Sequence, residues 1–425
     1  MKIQSIRGVK DILPGEVEKW QWVEQIAAQV FHRYGFKEIR VPIFEKTGLF
    51  ARGIGETTDI VEKEMYTFTD RGGEQITLRP EGTASVVRSY VEHKLYNPPG
   101  VVKLYYAGPM FRYERPQAGR FRQFYQIGVE AMGSGNPMID AEVMLMLMEF
   151  FSRLGLMGLE LQINSLGCPA CRPGYREILK DRIRERLSSL CPNCNARYER
   201  NPLRILDCKT PQCVEIARDL PKTKDHLCET CRSNFAEVQS FLDMSPFAWS
   251  INPLLVRGLD YYSRTTFEVK SEKLGAQDAI CGGGRYDSLV EEFDGPPTPC
   301  FGFALGMERL ISIIPFEGPS TVNRKPDLFV VSLGPEARKT GFQLVQTLRS
   351  KGMAVERDYE EGSMKSQMRK ANKSDARFVL ILGENEIREN KYLLKNMQDG
   401  NQTEIHATEA GLESLFTLLG SGETP

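Results

Sequence analysis

KLYYAGPMFRYERPQAGRFRQFYQIGVE, residues 103–130, decides how this chain is read, because its polar and apolar residues alternate, stop, and then alternate again. Two strands joined by a turn follow from that pattern. With a side-chain period of two, Arg112 and Glu114 share one face of the first strand, and Arg120, Arg122, Gln126, Gly128 and Glu130 share one face of the second. Phe121, Tyr125, Ile127 and Val129 fall on the opposite, apolar face. Pro116, Gln117, Ala118 and Gly119 supply turn chemistry in a loop longer than a two-residue hairpin turn. A half-solvated antiparallel sheet would show the same alternation. Yet arginines, a glutamine and glutamates gathered on one face must find water, partners or a charged ligand.

Outward from the hairpin, residues 16–34 carry Val17, Trp20, Val23, Ile26, Ala27, Val30 and Phe31 at helical spacing, ended by Gly35. Residues 38–44 alternate as a strand with Pro42 inside, which suits an edge, a bulge or an interface. Further strands are expected at 75–78 and 101–106, with a helix over 82–95 between them. Residues 140–154 form a helix rich in methionine and leucine, read as core. From Cys168 to about Leu242 the chain turns to cysteine pairs and charged helical stretches, which marks an insertion. Strand patterns resume at 254–256, 265–269 and 300–305, the last running into a helix at Gly306. A loop-like linker, FEGPSTVNRKP at 316–326, precedes strands at 328–332, 354–356 and 378–382 that alternate with helices. That final unit reads as a small α/β domain with a mostly parallel sheet.

At 425 residues the chain has room for two or three domains. A net charge of −1 argues against a uniformly basic nucleic-acid binder, so any polyanion must meet a local basic surface. The first residues lack an apolar core of signal-peptide length, and the apolar run at 143–151 is too short to span a bilayer and is broken by Glu149. A cytoplasmic address is expected. Of the ten cysteines, eight lie in close pairs within the insertion, which in a cytosolic chain reads as metal before disulfide.

Three arginines stand at element ends: Arg112 in the hairpin, Arg257 in LLVRGLDYYSRTTFEV (254–269) and Arg309 in CFGFALGMERLISII (300–314). Permanently charged forks around one sheet suit a bent triphosphate. No GxxxxGK[ST] loop is present, which sets aside an ordinary P-loop nucleotidase. LRPEGT (78–83) places Glu81 and Thr83 at a strand-to-helix corner, where either also suits a helix cap. CGGGRYD (281–287) is read as a loop whose glycines let backbone approach a ligand or make a tight turn. Four histidines, none in a paired metal spacing, argue against a histidine-dependent hydrolase or zinc protease.

Together these stretches resemble the class II aminoacyl-tRNA synthetases, and most closely the histidyl-tRNA synthetase family, over nearly the whole chain. GFKEIRVPIFEKTGLF (35–50), MFRYERPQAGRFRQFYQIGVE (110–130) and FGFALGMERL (301–310) resemble the three class motifs. LRPEGT, LVRGLDYY and CGGGRYD resemble signatures that separate the histidine family from its threonyl, prolyl and glycyl relatives. The resemblance implies an α/β fold: an α+β catalytic domain with a helix-flanked antiparallel sheet (1–167 and 246–322), a Cys-rich helical insertion (168–245) that clamps the acceptor arm, and an α/β anticodon-binding domain (323–425). It implies a homodimer that uses histidine, ATP with Mg²⁺ and the histidine tRNA, with neither membrane nor DNA as partner.

Carried over residue by residue, the resemblance implies that Arg112 holds the α-phosphate and the amino-acid carboxylate, Arg309 the bent tail of the triphosphate, and Arg257 the α-phosphate during adenylation. Glu114 and Arg120 join the ATP site. Glu81 meets the substrate ammonium, Glu130 and Tyr262 read the imidazole, and Thr83, Gln126 and Tyr261 complete that pocket. Paired polar groups around an imidazole would reject apolar amino acids without an editing domain. In the last domain Lys365, Arg369 and Lys373 recur at spacing four, a pattern that suits either a solvated helix face or unstacked anticodon bases and their phosphates.

The cysteines depart from many family members. Cys168/Cys171, Cys191/Cys194, Cys208/Cys213 and Cys228/Cys231 could hold one or two structural Zn²⁺ ions, and the first two pairs have C-x₂-C spacing with 19 residues between them. Spacing alone leaves open which pairs combine. Cys281 and Cys300 are read as incidental. Two other functions compete: the synthetase-like regulatory subunit of ATP phosphoribosyltransferase, and a zinc-stabilised RNA-binding protein without catalysis.

Overall fold

A computed structural model describes residues 3–56, 58–117, 119–274, 279–315, 325–360 and 362–420. Ala118 of the hairpin turn and most of the 316–326 linker lie outside the described residues. The chain divides into two compact units, Met1–Phe316 and Glu317–Pro425.

The first unit is organised by an eight-stranded sheet in the order Lys37–Glu38, Val102–Phe111, Gln123–Met132, Cys300–Gly306, Ala279–Arg285, Ser263–Ser271, Leu159–Ser165, Trp249–Ile251. Neighbours run antiparallel except for the pair at each edge. Helices Val17–Arg33 and Pro137–Arg153 cover one face, burying Trp20, Val23, Val30 and Phe31 against Met144, Leu147, Phe150, Phe303 and Phe267. Asn136 starts the second of these helices by accepting the Met138 amide at 2.9 Å, ahead of Pro137 in the first turn. Among the described residues no helix is long and apolar enough to cross a membrane.

The hairpin differs from its sequence reading in two ways. Its strands end at Phe111 and begin at Gln123, so the period-two assignment does not reach Arg112–Arg122. Phe121 therefore faces a cleft instead of the core, and Arg122 stacks on Tyr113 at 4.1 Å. Nor is the polar face solvated: Glu130 is 0% exposed, because Tyr106, Tyr286 and the insertion's apolar side chains form a second core on that side.

Other corrections have local causes. The strand expected over 38–44 is split, Lys37–Glu38 joining the large sheet and Phe44–Lys46 a small one with Gln75–Leu78 and Tyr66–Thr69. Proline lacks the ladder donor at 42, and the buried guanidinium of Arg79 instead donates to the carbonyls of Val41 (2.8 Å), Pro42 (3.3 Å) and Pro109 (2.8 Å). Residues 254–256 are a turn end followed by irregular chain, because the Leu254 and Leu255 amides bond to Asn252 and the Leu255 carbonyl takes Asn164 Nδ2 at 2.9 Å. The CGGGRYD stretch is no loop: Ala279–Arg285 is an interior strand.

Between residues 168 and 245 the described elements are helices and 3₁₀ turns. Helix Glu229–Leu242 packs Phe235, Val238 and Leu242 into the core beneath the large sheet. Tyr175, Leu179, Ile183, Ile205 and Ile216 join the second core with Tyr261 and Tyr262.

The second unit has a sheet ordered Val355–Arg357, Leu328–Ser332, Phe378–Leu382, Lys391–Asn396, Gln402–His406. Only its first three strands are parallel; an antiparallel pair completes it, so the expected mostly parallel sheet is half correct. Leu328 and Val330 pack with Leu344 and Leu348 on one face, Phe329 and Val331 with Ala371 on the other.

Candidate active site and thiol clusters

A cleft of about 440 Å³ opens over the middle of the large sheet. It gathers Glu81, Thr83, Arg112, Glu114, Arg120, Gln126, Arg257, Tyr261, Tyr262 and Arg309 from four separated stretches of sequence. Each is positioned by its element. Arg112 leaves the end of strand Val102–Phe111, donates from Nε to the Pro80 carbonyl at 2.8 Å, and lies 5.3 Å from the Phe124 ring. Arg309, in the first turn of helix Met307–Ile313, donates from Nη1 to the Ala279 carbonyl at 2.9 Å. Arg120 pairs with Glu114 at 2.9 Å.

Arg257 crosses strand Ala279–Arg285. Its guanidinium is ion-paired to Glu268 and 5.7 Å from the Tyr262 ring. A Cβ on Gly282 would come within 2.2 Å of Arg257 Nη1, so glycine is required there for the arginine to lie against the sheet. The glycine run serves a side chain.

At the other end of the cleft, both oxygens of Glu81 accept amides of the following helix, Thr83 N at 2.7 Å and Ala84 N at 2.8 Å. Burial pushes the Glu81 carboxyl above its usual range. Glu130 is not at the cleft surface. It lies behind Thr83, whose hydroxyl donates to Glu130 Oε1 at 2.7 Å, and also accepts the Tyr286 hydroxyl. Thr83 therefore faces the cleft as an acceptor. Gln126 Oε1 is buried with no hydrogen-bond partner among the described residues. Burial raises Tyr262 to about 12, so its phenol stays protonated at neutral pH.

Burial drives Glu130 up to about 8, overriding the two hydroxyls that bond to it. A carboxyl protonated more readily when folded adds stability that is complete below its ordinary value of 4.5 and is lost as pH rises through about 8. Wild type should therefore lose urea resistance relative to Glu130→Gln between pH 5 and 8.5, and parallel pH profiles would contradict this.

Among the cleft residues that sequence reasoning missed are Lys209, Glu268, Phe124 and Glu308. Glu268 was legible, since it alternates with Phe267 and Val269 on strand Ser263–Ser271. Glu308 accepts the Tyr125 amide at 2.9 Å, and burial lifts it to about 7. Lys209, beside Cys208, carried no periodic signal. In the second unit Lys365 and Arg369 line a shallow recess on helix Met364–Ser374, while Lys373 is exposed outside it. Lys370 is taken by Asp358 at 2.6 Å and Glu360 at 2.9 Å.

The eight insertion cysteines form two tetrads, Cys168/Cys171/Cys228/Cys231 and Cys191/Cys194/Cys208/Cys213, and within each all sulfurs lie within 4.8 Å of one another. The first two pairs, which share C-x₂-C spacing, do not combine: the first pair meets the fourth, and the second meets the third. Sulfur separations of 3.6 and 4.0 Å in one tetrad and 3.9 Å in the other compare with roughly 3.8 Å for thiolates ~2.3 Å from a tetrahedral Zn²⁺. The Cys228 amide donates to Cys171 Sγ at 3.1 Å and the Cys191 amide to Cys213 Sγ at 3.3 Å, which favours thiolate. The donor set fits a closed structural site. Cys281 and Cys300 are buried and belong to neither.

Residues 8–310 match the sequence model of histidyl-tRNA synthetase, and residues 327–411 that of the anticodon binding domain. The histidine–tRNA ligase of Desulforamulus reducens is 55% identical over 404 residues, covering 95% of this chain and 96% of its own length. That of Trichlorobacter lovleyi is 52% identical over 424 residues and covers both chains completely. The apo histidyl-tRNA synthetase of S. aureus superposes with a TM-score of 0.81 at 38% identity, covering 98% of this chain and all of its own. With a family model matched over residues 8–310 and a relative 55% identical across 95% of its length, the chain belongs to the histidyl-tRNA synthetase family.

Proposed function

We propose that this chain is a histidine:tRNA ligase that activates histidine with ATP and then transfers it to the terminal adenosine of its tRNA. The observation that carries the reading is the convergence of Arg112, Arg257 and Arg309 with Glu81 and the unpartnered Gln126 carbonyl in one cleft. ATP enters as its magnesium complex. Arg309 takes the bent tail of the triphosphate, with Glu114 and Arg120 at the nucleotide, while Arg112 bridges the α-phosphate and the histidine carboxylate. That carboxylate attacks the α-phosphorus in line and pyrophosphate departs, so neutralisation and alignment matter more than a proton-transfer base. Arg257 stabilises the charge that builds at the α-phosphate. The terminal ribose hydroxyl of the tRNA then attacks the acyl carbon, and AMP leaves.

Glu81 receives the substrate ammonium. Gln126 Oε1, the Thr83 oxygen and the Tyr261 and Tyr262 hydroxyls address the imidazole, with Glu130 orienting Thr83 from behind. Unpaired acceptors of this kind reject an amino acid that lacks the matching N–H. Lys365, Arg369 and Lys373 meet the anticodon loop. The protein works in the cytoplasm as a homodimer, a state favoured by the exposed Ile43, Phe44 and Phe68 around the small sheet. A sedimentation mass of a single chain would count against that state.

Incubation with labelled histidine, ATP and total tRNA should give acid-precipitable counts that depend on ATP; none would contradict transfer. A zinc-stabilised RNA-binding protein without catalysis would leave the arginines without a task, and the anticodon-binding domain matched at 327–411 speaks against the regulatory-subunit alternative. Each thiol tetrad holds one structural zinc, so metal analysis should return about two equivalents per chain by the four-thiolate rule. Metal-free folded protein would refute the zinc assignment.

A further inference from the structure

The two thiol tetrads are alike in chemistry and differ in their surroundings. Cys171 and Cys231 close with Leu227 on a small core of their own. Cys194 and Cys213 instead share a core with Ile205, Leu206, Val256, Tyr261 and Tyr262, directly behind the cleft. Between this tetrad and the cleft runs the segment 201–209, a 3₁₀ turn at Pro202–Ile205 followed by irregular chain that ends at Cys208 and Lys209. The segment is tied to the loop after Arg257, since Asn201 Nδ2 donates to Asp260 Oδ1 at 2.9 Å and Arg204 Nη1 to the Gly258 carbonyl at 3.3 Å. Asp207 steadies it, pairing with Arg204 at 3.1 Å and Arg197 at 3.7 Å. Lys209 comes next, exposed and lining the cleft that also holds Arg257 and Gly258. Arg120 and Arg257 are ion-paired to Glu114 and Glu268, whereas Lys209, close enough to Asp207 for their charges to interact, forms no salt bridge among the described residues.

We propose that Lys209 is a nucleotide-binding residue of the cleft, its ammonium taking a phosphate oxygen of ATP, and that a metal held by Cys191, Cys194, Cys208 and Cys213 keeps it there. The inference rests on the reading of the cleft as the adenylation site. An irregular segment has no ladder to hold it, and a ligand thiolate immediately before Lys209 fixes one side while the Asn201 and Arg204 bonds fix the other. An ammonium lining the same cleft as Arg112, Arg257 and Arg309 suits the phosphates of the nucleotide.

The test is ATP–pyrophosphate exchange without tRNA. Lys209→Ala should raise KM for ATP about tenfold, the effect of losing one charge-assisted contact, with kcat changed less than about twofold. Lys209→Arg should restore most of the affinity. Cys208→Ser should lose one of the two zinc equivalents and show the same rise in KM, and the double variant should be no worse than Cys208→Ser alone. Because Lys209 is exposed, its alanine variant folds whatever becomes of Cys208→Ser, and an unaltered KM for ATP in Lys209→Ala overturns the proposal. So do multiplying effects in the double variant, and so does normal exchange with slowed transfer from preformed histidyl-adenylate, which would place Lys209 on the tRNA phosphates. If the wild-type chain shows no histidine-dependent exchange, the functional reading itself fails.

Discussion

Arg257→Ala should lower the rate of histidine-dependent ATP–pyrophosphate exchange by about two to three orders of magnitude while changing histidine affinity less than about threefold. The asymmetry follows from where the side chain lies. Arg257 lines the cleft with its charge held in place by Glu268 and in the proposed reading serves the phosphates, whereas Glu81, Thr83 and Gln126 would serve the ammonium and imidazole. A group placed before reaction begins stabilises developing charge without reorganising. Gly282→Ala supplies an independent check, because the new methyl group would overlap the guanidinium at 2.2 Å and one of them must move. It should depress exchange in the same direction without touching any ligand atom. Equal losses in rate and histidine binding for Arg257→Ala, or full activity in Gly282→Ala, would contradict the proposed role.

Arg285→Ala should destabilise the first unit by about 3–5 kcal/mol, the cost of leaving a buried charge without its partner. Arg285 is 2% exposed and donates from Nε to Oδ2 of Asp140, which is 1% exposed, at 3.0 Å, with an ion-pair separation of 2.6 Å. Its remaining donors go to the carbonyls of Ser134 (3.1 Å) and Asn136 (3.0 Å) and to Asp287 (3.3 Å). Burial already pushes Asp140 up to about 6 with the arginine present, so removing Arg285 leaves a carboxyl that must take up a proton to stay folded. This pair joins strand Ala279–Arg285 to the start of helix Pro137–Arg153 and has no place in the chemistry. Urea unfolding measures the loss, and a change below about 1 kcal/mol, the scale of an exposed ion pair, would contradict it.

These two arginines show what the sequence could and could not reveal. Arg257 and Arg285 each stand in or beside a glycine-bearing motif, and residue type alone gives both the same promise. Only the fold separates them, turning one toward a cleft and the other into a carboxylate and carbonyl cage. Alternation found strands Val102–Phe111, Gln123–Met132 and Cys300–Gly306, because each has an apolar face on a continuous core. It failed at CGGGRYD, where glycines carry no hydrophobic signal, although their smallness is what seats Arg257. It also failed between residues 112 and 122, where the chain leaves the sheet and period two no longer applies. Tetrad pairing was beyond spacing, since Cys168 and Cys228 are 60 positions apart in sequence and meet only once helix Glu229–Leu242 has docked. Lys209 was silent for a similar reason, as a lone cation in an irregular segment looks like any surface lysine.

The most direct test of the account is ATP–pyrophosphate exchange by the purified wild-type chain with each of the standard amino acids in turn. Histidine alone should support exchange, since in the proposed reading its imidazole would satisfy the acceptors at Gln126 and Thr83 while its carboxylate would reach Arg112. Absence of exchange with histidine, or exchange of equal rate with any other amino acid, would contradict the account.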